Sequence, residues 1–464
     1  MLNNKMSDYF KNYSLKFYLK ELAFSQGRTA KAGRNIIISF VFQGIGIIIS
    51  FIYVPLLLDY FNQEQYGIWL TLISILGWFS FFDIGLGHGL RNKLAESIAL
   101  NDTRLSKNYV STTYAILCCI FLAILILFQI TNFFLDWNTI LNTKIVSRHS
   151  LYLLTSIVFS FMCINFVMQL IGTVYNANQY PAVNSIINTT GSFFSLIIVY
   201  ILVKSKIHGD LVLFGFIISA MPVLLFLILS IYSYKTRYSN LKPSISSIDL
   251  KLGKGLMNLG GKFFLMQITS IIIFSTSSFF ISQFFGPSEV VAYNITFKYF
   301  QVPVMIFSII LSPLWSAVTD AYVRSDFVWL KVTLKRLNIL SIIFMIGIVI
   351  MVLISGLVFK FWIGDKVHIP YNLILLMAIY STTVLFISPY AYFINGTGKI
   401  RLISAFSLVS ILLFLSSVFF FSKLFQNSCA LVLANIVTNI IGGVIEPVQT
   451  YKILNKKASG IWAK

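Results

Sequence analysis

Apolar stretches alternate with shorter polar ones from residue 35 to residue 451. Each runs to roughly 18 to 28 residues, the length that crosses ~30 Å of hydrocarbon as a helix with some tilt. The pattern predicts twelve spans, at 35–58, 67–90, 109–133, 150–174, 184–203, 211–233, 258–284, 291–319, 338–361, 371–394, 402–422 and 429–451. The expected fold is all-α: a polytopic membrane protein of about twelve transmembrane helices in two six-helix halves around a central cavity. The halves are expected at 35–233 and 258–451, joined by a linker at 234–257, with a basic segment at 1–34 before them and a tail at 452–464. Two local similarities support the division: FNQEQYGIW before span two parallels FFGPSEVVAYN before span eight, and YNANQYP after span four parallels INGTGKI after span ten. Halves with an even number of spans share one orientation, which calls for an axis along the membrane normal.

Charge adds a direction. On the side of the 1–34 segment and the 234–257 linker the connections carry 27 Lys and Arg, against 7 on the other side. Basic loops stay in the cytoplasm, so both termini are expected inside. The net charge of +20 would otherwise suggest nucleic acid, but the basic residues sit between spanning blocks and not on one soluble face, so nucleic acid is not an expected partner. With 57% hydrophobic and 11% charged residues, the chain is far from an ordinary soluble globule, where charge is nearer ~25%. Residues 1–34 mix seven basic residues with Tyr9, Phe10, Tyr13, Phe17 and Tyr18 and hold no continuous apolar core. They read as an interfacial anchor and not as a signal peptide. The four cysteines, Cys118, Cys119, Cys163 and Cys429, show no metal-ligand spacing and read as packing residues.

Several function classes lose their footing. No loop on the side opposite the basic loops exceeds about 16 residues, which leaves little room for the large external loop of a polysaccharide polymerase. GxxxxGK[ST], HExxH, GxSxG and DxD are absent, so nucleotide hydrolysis, familiar hydrolase chemistry and sugar-nucleotide transfer have no evident site. The chain is not expected to be an enzyme.

Ionisable residues inside spans carry the functional argument, because each costs about 2.5–3.5 kcal/mol on insertion scales. Lys298 lies in VVAYNITFKYF, eleven residues past Pro287, or roughly 16 Å along a helix. Asn294 and Gln301 flank it at spacings that share a helix face. The trio reads either as a cavity lining with a cation at its centre or as a lysine paired structurally with Asp83 or another carboxylate. Asp83, followed by Gly85, Gly87 and Gly89, can pair a cation, take a coupling proton or sodium ion, or end a helix. Arg91 either meets an anionic head group at the inner face or marks orientation, and Arg34 and Lys262 share that ambiguity. Asp320 and Arg324, four apart, form an ordinary helix pair or a gate latch. Glu446 beside Pro447 marks a kink that serves bending or close packing.

One stretch ties these together. The order YGIW, DIGLGHGLRNKLAE, then YVSTTY within Tyr66–Tyr114 resembles the Wzx-like flippases of O-antigen and related polysaccharide units, in the multidrug/oligosaccharidyl-lipid/polysaccharide exporter superfamily. The resemblance implies a non-enzymatic transporter in a bacterial inner membrane, moving undecaprenyl-pyrophosphate-linked oligosaccharide between leaflets by alternating access. In relatives that move lipid-linked oligosaccharides, cavity cations hold the anionic head group, a role carried over here to Lys298. Membrane lipids, a polysaccharide polymerase and a chain-length regulator are the partners implied. No cofactor is expected, and coupling to H+ or Na+ stays open. A cation-coupled drug antiporter of the same superfamily is the first alternative and an integral glycosyltransferase or polymerase the second.

Overall fold

Polar caps, and not the edges of the apolar runs, decide where the helices begin. Helix α1 (Arg28–Tyr60) ends at a turn in which the Asn62 side chain accepts from Gln65 N at 2.8 Å while the Gln65 side chain accepts from Asn62 N at 3.2 Å. This reciprocal pair satisfies two donors at the start of α2 (Gln63–Gly77). Asp102 accepts from Leu105 N and so separates α3 (Leu86–Ala99) from α4 (Thr103–Phe134). A short α5 (Trp137–Leu141) leads to α6 (Arg148–Met168), which breaks at Gln169 into α7 (Leu170–Ala177). Next come α8 (Ala182–Lys204) and α9 (Leu211–Lys235), the latter capped by Asp210. The second half holds α10 (276–285), α11 (Pro287–Val323), α12 (Phe327–Ile363), α13 (Tyr371–Thr397), α14 (Arg401–Leu424) and α15 (Cys429–Leu454).

This computed structural model describes residues 28–79, 86–178, 180–205, 209–253, 276–399 and 401–463. Among the described residues there is no strand, and nine helices are long and apolar enough to cross a membrane. The all-α polytopic fold expected from the apolar pattern is the one observed.

Several boundaries need correction. The segment 91–108, expected as a basic loop, is mostly helical: α3 continues past Arg91 to Ala99, and only Leu100–Asp102 turn. Lys93 and Glu96 bridge at 2.8 Å on its exposed face, so the helix pairs its own charges in water instead of stopping at the hydrocarbon edge. Likewise α12 begins at Phe327, eleven residues before the expected start, because Asp326 caps it through Trp329 N. Among the cysteines expected to pack, Cys163 and Cys429 are buried, but Cys118 and Cys119 are exposed on α4. An outward thiol on a lipid-facing helix loses nothing by not packing.

The 234–257 connection does not hang free where it is described. Thr112 Oγ1 donates to Asp249 O and accepts from Asp249 N, and Ser111 Oγ accepts from Ser244 N at 3.1 Å. Arg237 stacks over the Tyr180 ring at 4.0 Å, and burial pushes the Tyr238 phenol up to about 12. The linker is therefore folded onto the start of α4 and the turn at Tyr180.

Among the described residues, those up to 235 meet those from 276 onward at the end opposite the basic loops, which we call the far end. Gln63 Nε2 donates to Ser288 O at 3.1 Å. Asn142 Nδ2 reaches Ser282 O, Ser282 Oγ reaches Leu141 O, and Gln283 Nε2 reaches Ile140 O. Lys366 pairs with Asp59. Deeper, α1 contributes an unusual acceptor. Pro55 has no N–H, so the Phe51 carbonyl loses its i+4 donor. Trp362 Nε1 fills the gap at 2.9 Å, and its ring stacks on Phe51 with centroids 4.6 Å apart. Trp362→Phe keeps the stack and orphans the carbonyl, so we expect it to cost about 1–2 kcal/mol. In a Pro55→Ala background, where residue 55 regains its N–H, the same change should cost much less. Thermal unfolding of the four proteins in one detergent measures this cycle, and equal costs in both backgrounds would remove the proline from the account.

Candidate functional site

Lys298 stands at the junction just described. It sits on α11, and its Nζ donates to Ser50 O at 2.9 Å, one residue before the Phe51 carbonyl that receives Trp362. A carbonyl oxygen has two lone pairs, so Ser50 can accept the lysine without leaving its helix. The α1 face that Pro55 opens thus docks the second half at two successive carbonyls.

The same lysine lines a cavity of about 400 Å³ walled by α1, α2, α8 and α9 of the first half. Ser50, Tyr53, Trp69, Asn188, Ser192 and Ser195 are among its lining residues, and Lys298 is the single charged one. The wall is otherwise a mixture of aliphatic side chains, aromatic rings and uncharged polar groups, the composition of a ligand pocket. A smaller cavity of about 150 Å³ lies nearer the basic end, lined by Gln169, Thr173, Asn184, Asn188 and the Phe166 and Phe226 side chains, among others. Asn188 borders both.

The polar residues of α8 explain how the two connect. Asn184, Asn188, Ser192 and Ser195 are spaced by four, four and three residues, which places them on one helix face. At 1.5 Å per residue the stripe runs about 16 Å, from the basic end of α8 toward Lys298. None of these four was a sequence candidate. Their periodicity was legible, but uncharged side chains carry too small an insertion penalty to draw attention, and only Lys298 shows what they lead to.

The other sequence candidates scatter. Asn294 does not share the lysine's surroundings: its amide donates to Ser278 Oγ at 3.2 Å and to Val290 O at 2.9 Å, so it packs α11 against α10. Gln301 is half-buried on α11 and does not line the Lys298 cavity. Of the three, Lys298 alone lines this cavity, because neighbours on one face of a helix still meet different helices. Arg91 is exposed on α3. Asp83 and Lys262 lie outside the described residues, as do the side chains of Arg34 and Asp320, while Arg324 is exposed at the end of α11. Glu446 is only 9% exposed, with its Oε2 lacking a hydrogen-bond partner. Pro447 lies inside α15, which continues through it to Leu454. A third groove, of about 600 Å³, is formed by α12, α13 and α15 with Lys331, Lys335, Pro447 and Tyr451 in its wall. It is the largest of the three, but it shares no lining residue with the Lys298 cavity and has no charge-bearing centre inside the spans, so it is not the better candidate.

Comparison with known proteins gives a consistent picture. A family model described as "Polysaccharide biosynthesis protein" matches residues 32–317. A "Putative O-antigen export protein" of Yersinia pseudotuberculosis is 24% identical over 365 residues, covering 77% of this chain and 81% of its own. A "Putative O-antigen transporter" of Salmonella typhi is 23% identical over 379 residues, covering 76% and 81%. Among solved structures, an inward-facing multidrug resistance MATE family transporter of the MOP superfamily superposes with a TM-score of 0.73 at 12% identity, over 91% of this chain and all of that one. A MOP superfamily transporter from Pyrococcus furiosus superposes with a TM-score of 0.62 at 12% identity, over 93% and 98%. At such identities the structural likeness establishes the fold.

Proposed function

Because the chain belongs to the polysaccharide biosynthesis protein family, we propose that it is a flippase for undecaprenyl-pyrophosphate-linked oligosaccharide units such as O-antigen or capsule repeats. The observation that carries this reading is the cavity with one charge, and that charge is positive: Lys298, set among aliphatic, aromatic and uncharged polar side chains. An anionic pyrophosphate leaving water needs a compensating cation, and a sugar chain needs uncharged hydrogen-bond partners; the cavity offers both. A drug antiporter selecting cations would call for a carboxylate in that place. The names borne by the relatives, export protein and transporter, favour transport over catalysis.

In this reading the protein lies in the bacterial inner membrane with both termini in the cytoplasm, as the distribution of Lys and Arg favours. The basic end then faces the cytoplasm, and the contacts between halves close the far side. The head group enters from the basic end along the α8 stripe, its phosphates meet Lys298, and the isoprenoid tail stays in lipid between the halves. Rocking of 35–233 against 258–451 breaks the far-end contacts and exposes the head outside. Arg91, Arg324 and Asp320 sit at the basic end, where they meet the head group or latch the entrance.

Coupling to a proton or sodium gradient would fall to Glu446 or Asp83. Glu446→Gln preserves shape and removes the charge, so we expect export that no longer responds to collapse of the ion gradient. Repeat units delivered to the outer leaflet, measured with and without a protonophore and a sodium ionophore, test this; unchanged sensitivity would clear Glu446 of the role.

Deleting the gene tests the function itself. Surface polysaccharide should disappear from gels while complete single repeat units accumulate on undecaprenyl lipid, as seen by mass spectrometry. Normal polymer with altered drug sensitivity would support the antiporter, and truncated units would support a transferase. Co-purification with the polymerase and chain-length regulator checks those partners.

A further inference from the structure

We infer that the smaller cavity at the basic end is a sugar-recognition subsite for an uncharged sugar residue of the transported unit. The inference rests on the flippase reading above and adds to it where along the track the glycan is read and what kind of sugar is accepted.

The cavity measures about 150 Å³, and none of its lining residues is Asp, Glu, Lys or Arg. Its polar groups are the amides of Gln169, Asn184 and Asn188 and the hydroxyl of Thr173. Each can donate and accept, which matches sugar hydroxyl and acetamido groups, themselves donors and acceptors. Phe166 and Phe226 supply flat apolar walls against which the C–H face of a pyranose ring can lie. Asn184 Oδ1 is buried and has no hydrogen-bond partner within the protein. That oxygen packs against Gly172, so a sugar in the cavity meets it only once the amide turns, which would also relieve the cost of leaving it unpaired. Gly172 fixes where this amide sits, because a Cβ there would overlap the Asn184 side chain.

Position decides what meets the subsite. The α8 stripe separates Asn184 from Ser195, beside Lys298, by about 16 Å. A unit whose phosphates have reached Lys298 has its glycan trailing toward the basic end, along Ser192 and Asn188 to Asn184. Several sugars, not only the first, fit along that path, so the subsite reads a residue distal to the pyrophosphate. A uronic acid at that place would bring a carboxylate into a site with no cation and would be disfavoured.

Three probes separate the possibilities: undecaprenyl pyrophosphate bare, bearing a neutral N-acetylhexosamine trisaccharide, and bearing the same trisaccharide ended by a hexuronic acid. Binding is measured to the full-length protein in nanodiscs. We expect the neutral trisaccharide to bind roughly tenfold more tightly than the other two. Asn184→Leu and Thr173→Val should bring it down to the level of the bare lipid without changing the bare lipid's affinity, because neither residue lines the Lys298 cavity. Valine has nearly the shape of threonine, so Thr173→Val keeps the test valid if Asn184→Leu misfolds. Equal binding of all three probes, or variants that leave the neutral preference intact, would overturn the subsite and leave the flippase standing. Failure of the unaltered protein to bind any pyrophosphate lipid would instead remove the flippase reading.

Discussion

Lys298→Gln is expected to abolish polysaccharide export while leaving the protein in the membrane. Two functions converge on this side chain, and the substitution removes both. The Nζ bonds the Ser50 carbonyl across the halves, and it is the only charge in the wall of the cavity that it lines. Truncating one member of a desolvated charge pair costs about 2–5 kcal/mol, a loss of roughly 30- to 5,000-fold in affinity for a pyrophosphate head. The lost hydrogen bond to Ser50 contributes nearer 1 kcal/mol. The two contributions separate by comparison with Lys298→Arg. A guanidinium keeps the charge and donates to a carbonyl in a different geometry, so arginine should retain partial export if the charge dominates. Accumulated undecaprenyl-linked units in the complemented deletion strain measure both. Normal export by the glutamine variant would sink the role assigned to the lysine.

Gly67→Leu should be comparably damaging, for a reason of space and not charge. Gly67 lies in the first turns of α2, where the backbone of Pro287 at the start of α11 comes so close that even a methyl group would overlap the Pro287 carbonyl. Backbone cannot yield as a flexible side chain can, so α2 and α11 must part. The far end would then be held ajar, with the Gln63–Ser288 and Asn142–Ser282 bonds broken along with it. We expect loss of export and, in a protein freed of its native cysteines, faster maleimide labelling of Ser288→Cys from outside the cell. Gly67→Ala should show the same direction with smaller effect. Labelling at the unaltered rate would mean that this contact is not what keeps the far end shut.

What could be read in advance follows from the size of each residue's energetic signature. The spans were legible because burying twenty apolar side chains in lipid outweighs every local preference, and Lys298 stood out because a charge in hydrocarbon is expensive. Helix ends were not legible from hydropathy. Asn62, Asp102 and Asp326 set them by hydrogen bonds to backbone N–H groups at exposed turns. The partner of Lys298 was not legible either. The sequence offers carboxylates as natural partners, but the acceptor is a main-chain oxygen, which leaves no residue-type signal at all. The same holds for Pro55, whose effect becomes visible only when Trp362, 311 positions from Phe51, supplies the missing donor.

The contacts between halves have an implication for how this chain can change over generations. Apart from Lys366–Asp59, the hydrogen bonds described between the halves end on backbone oxygens: Ser50, Phe51, Ile140, Leu141, Ser282 and Ser288 all accept with their main chain. A point mutation cannot delete such an acceptor. Only the donors Gln63, Asn142, Ser282, Gln283, Lys298 and Trp362 depend on residue identity for these bonds, so Ser50, Ile140, Leu141 and Ser288 can change toward whatever the lipid or the cargo demands without losing them. For these bonds, selection on residue identity falls on the donors. A chain built this way can diverge far in sequence, and adopt new glycans, while the surfaces that open and close stay in register.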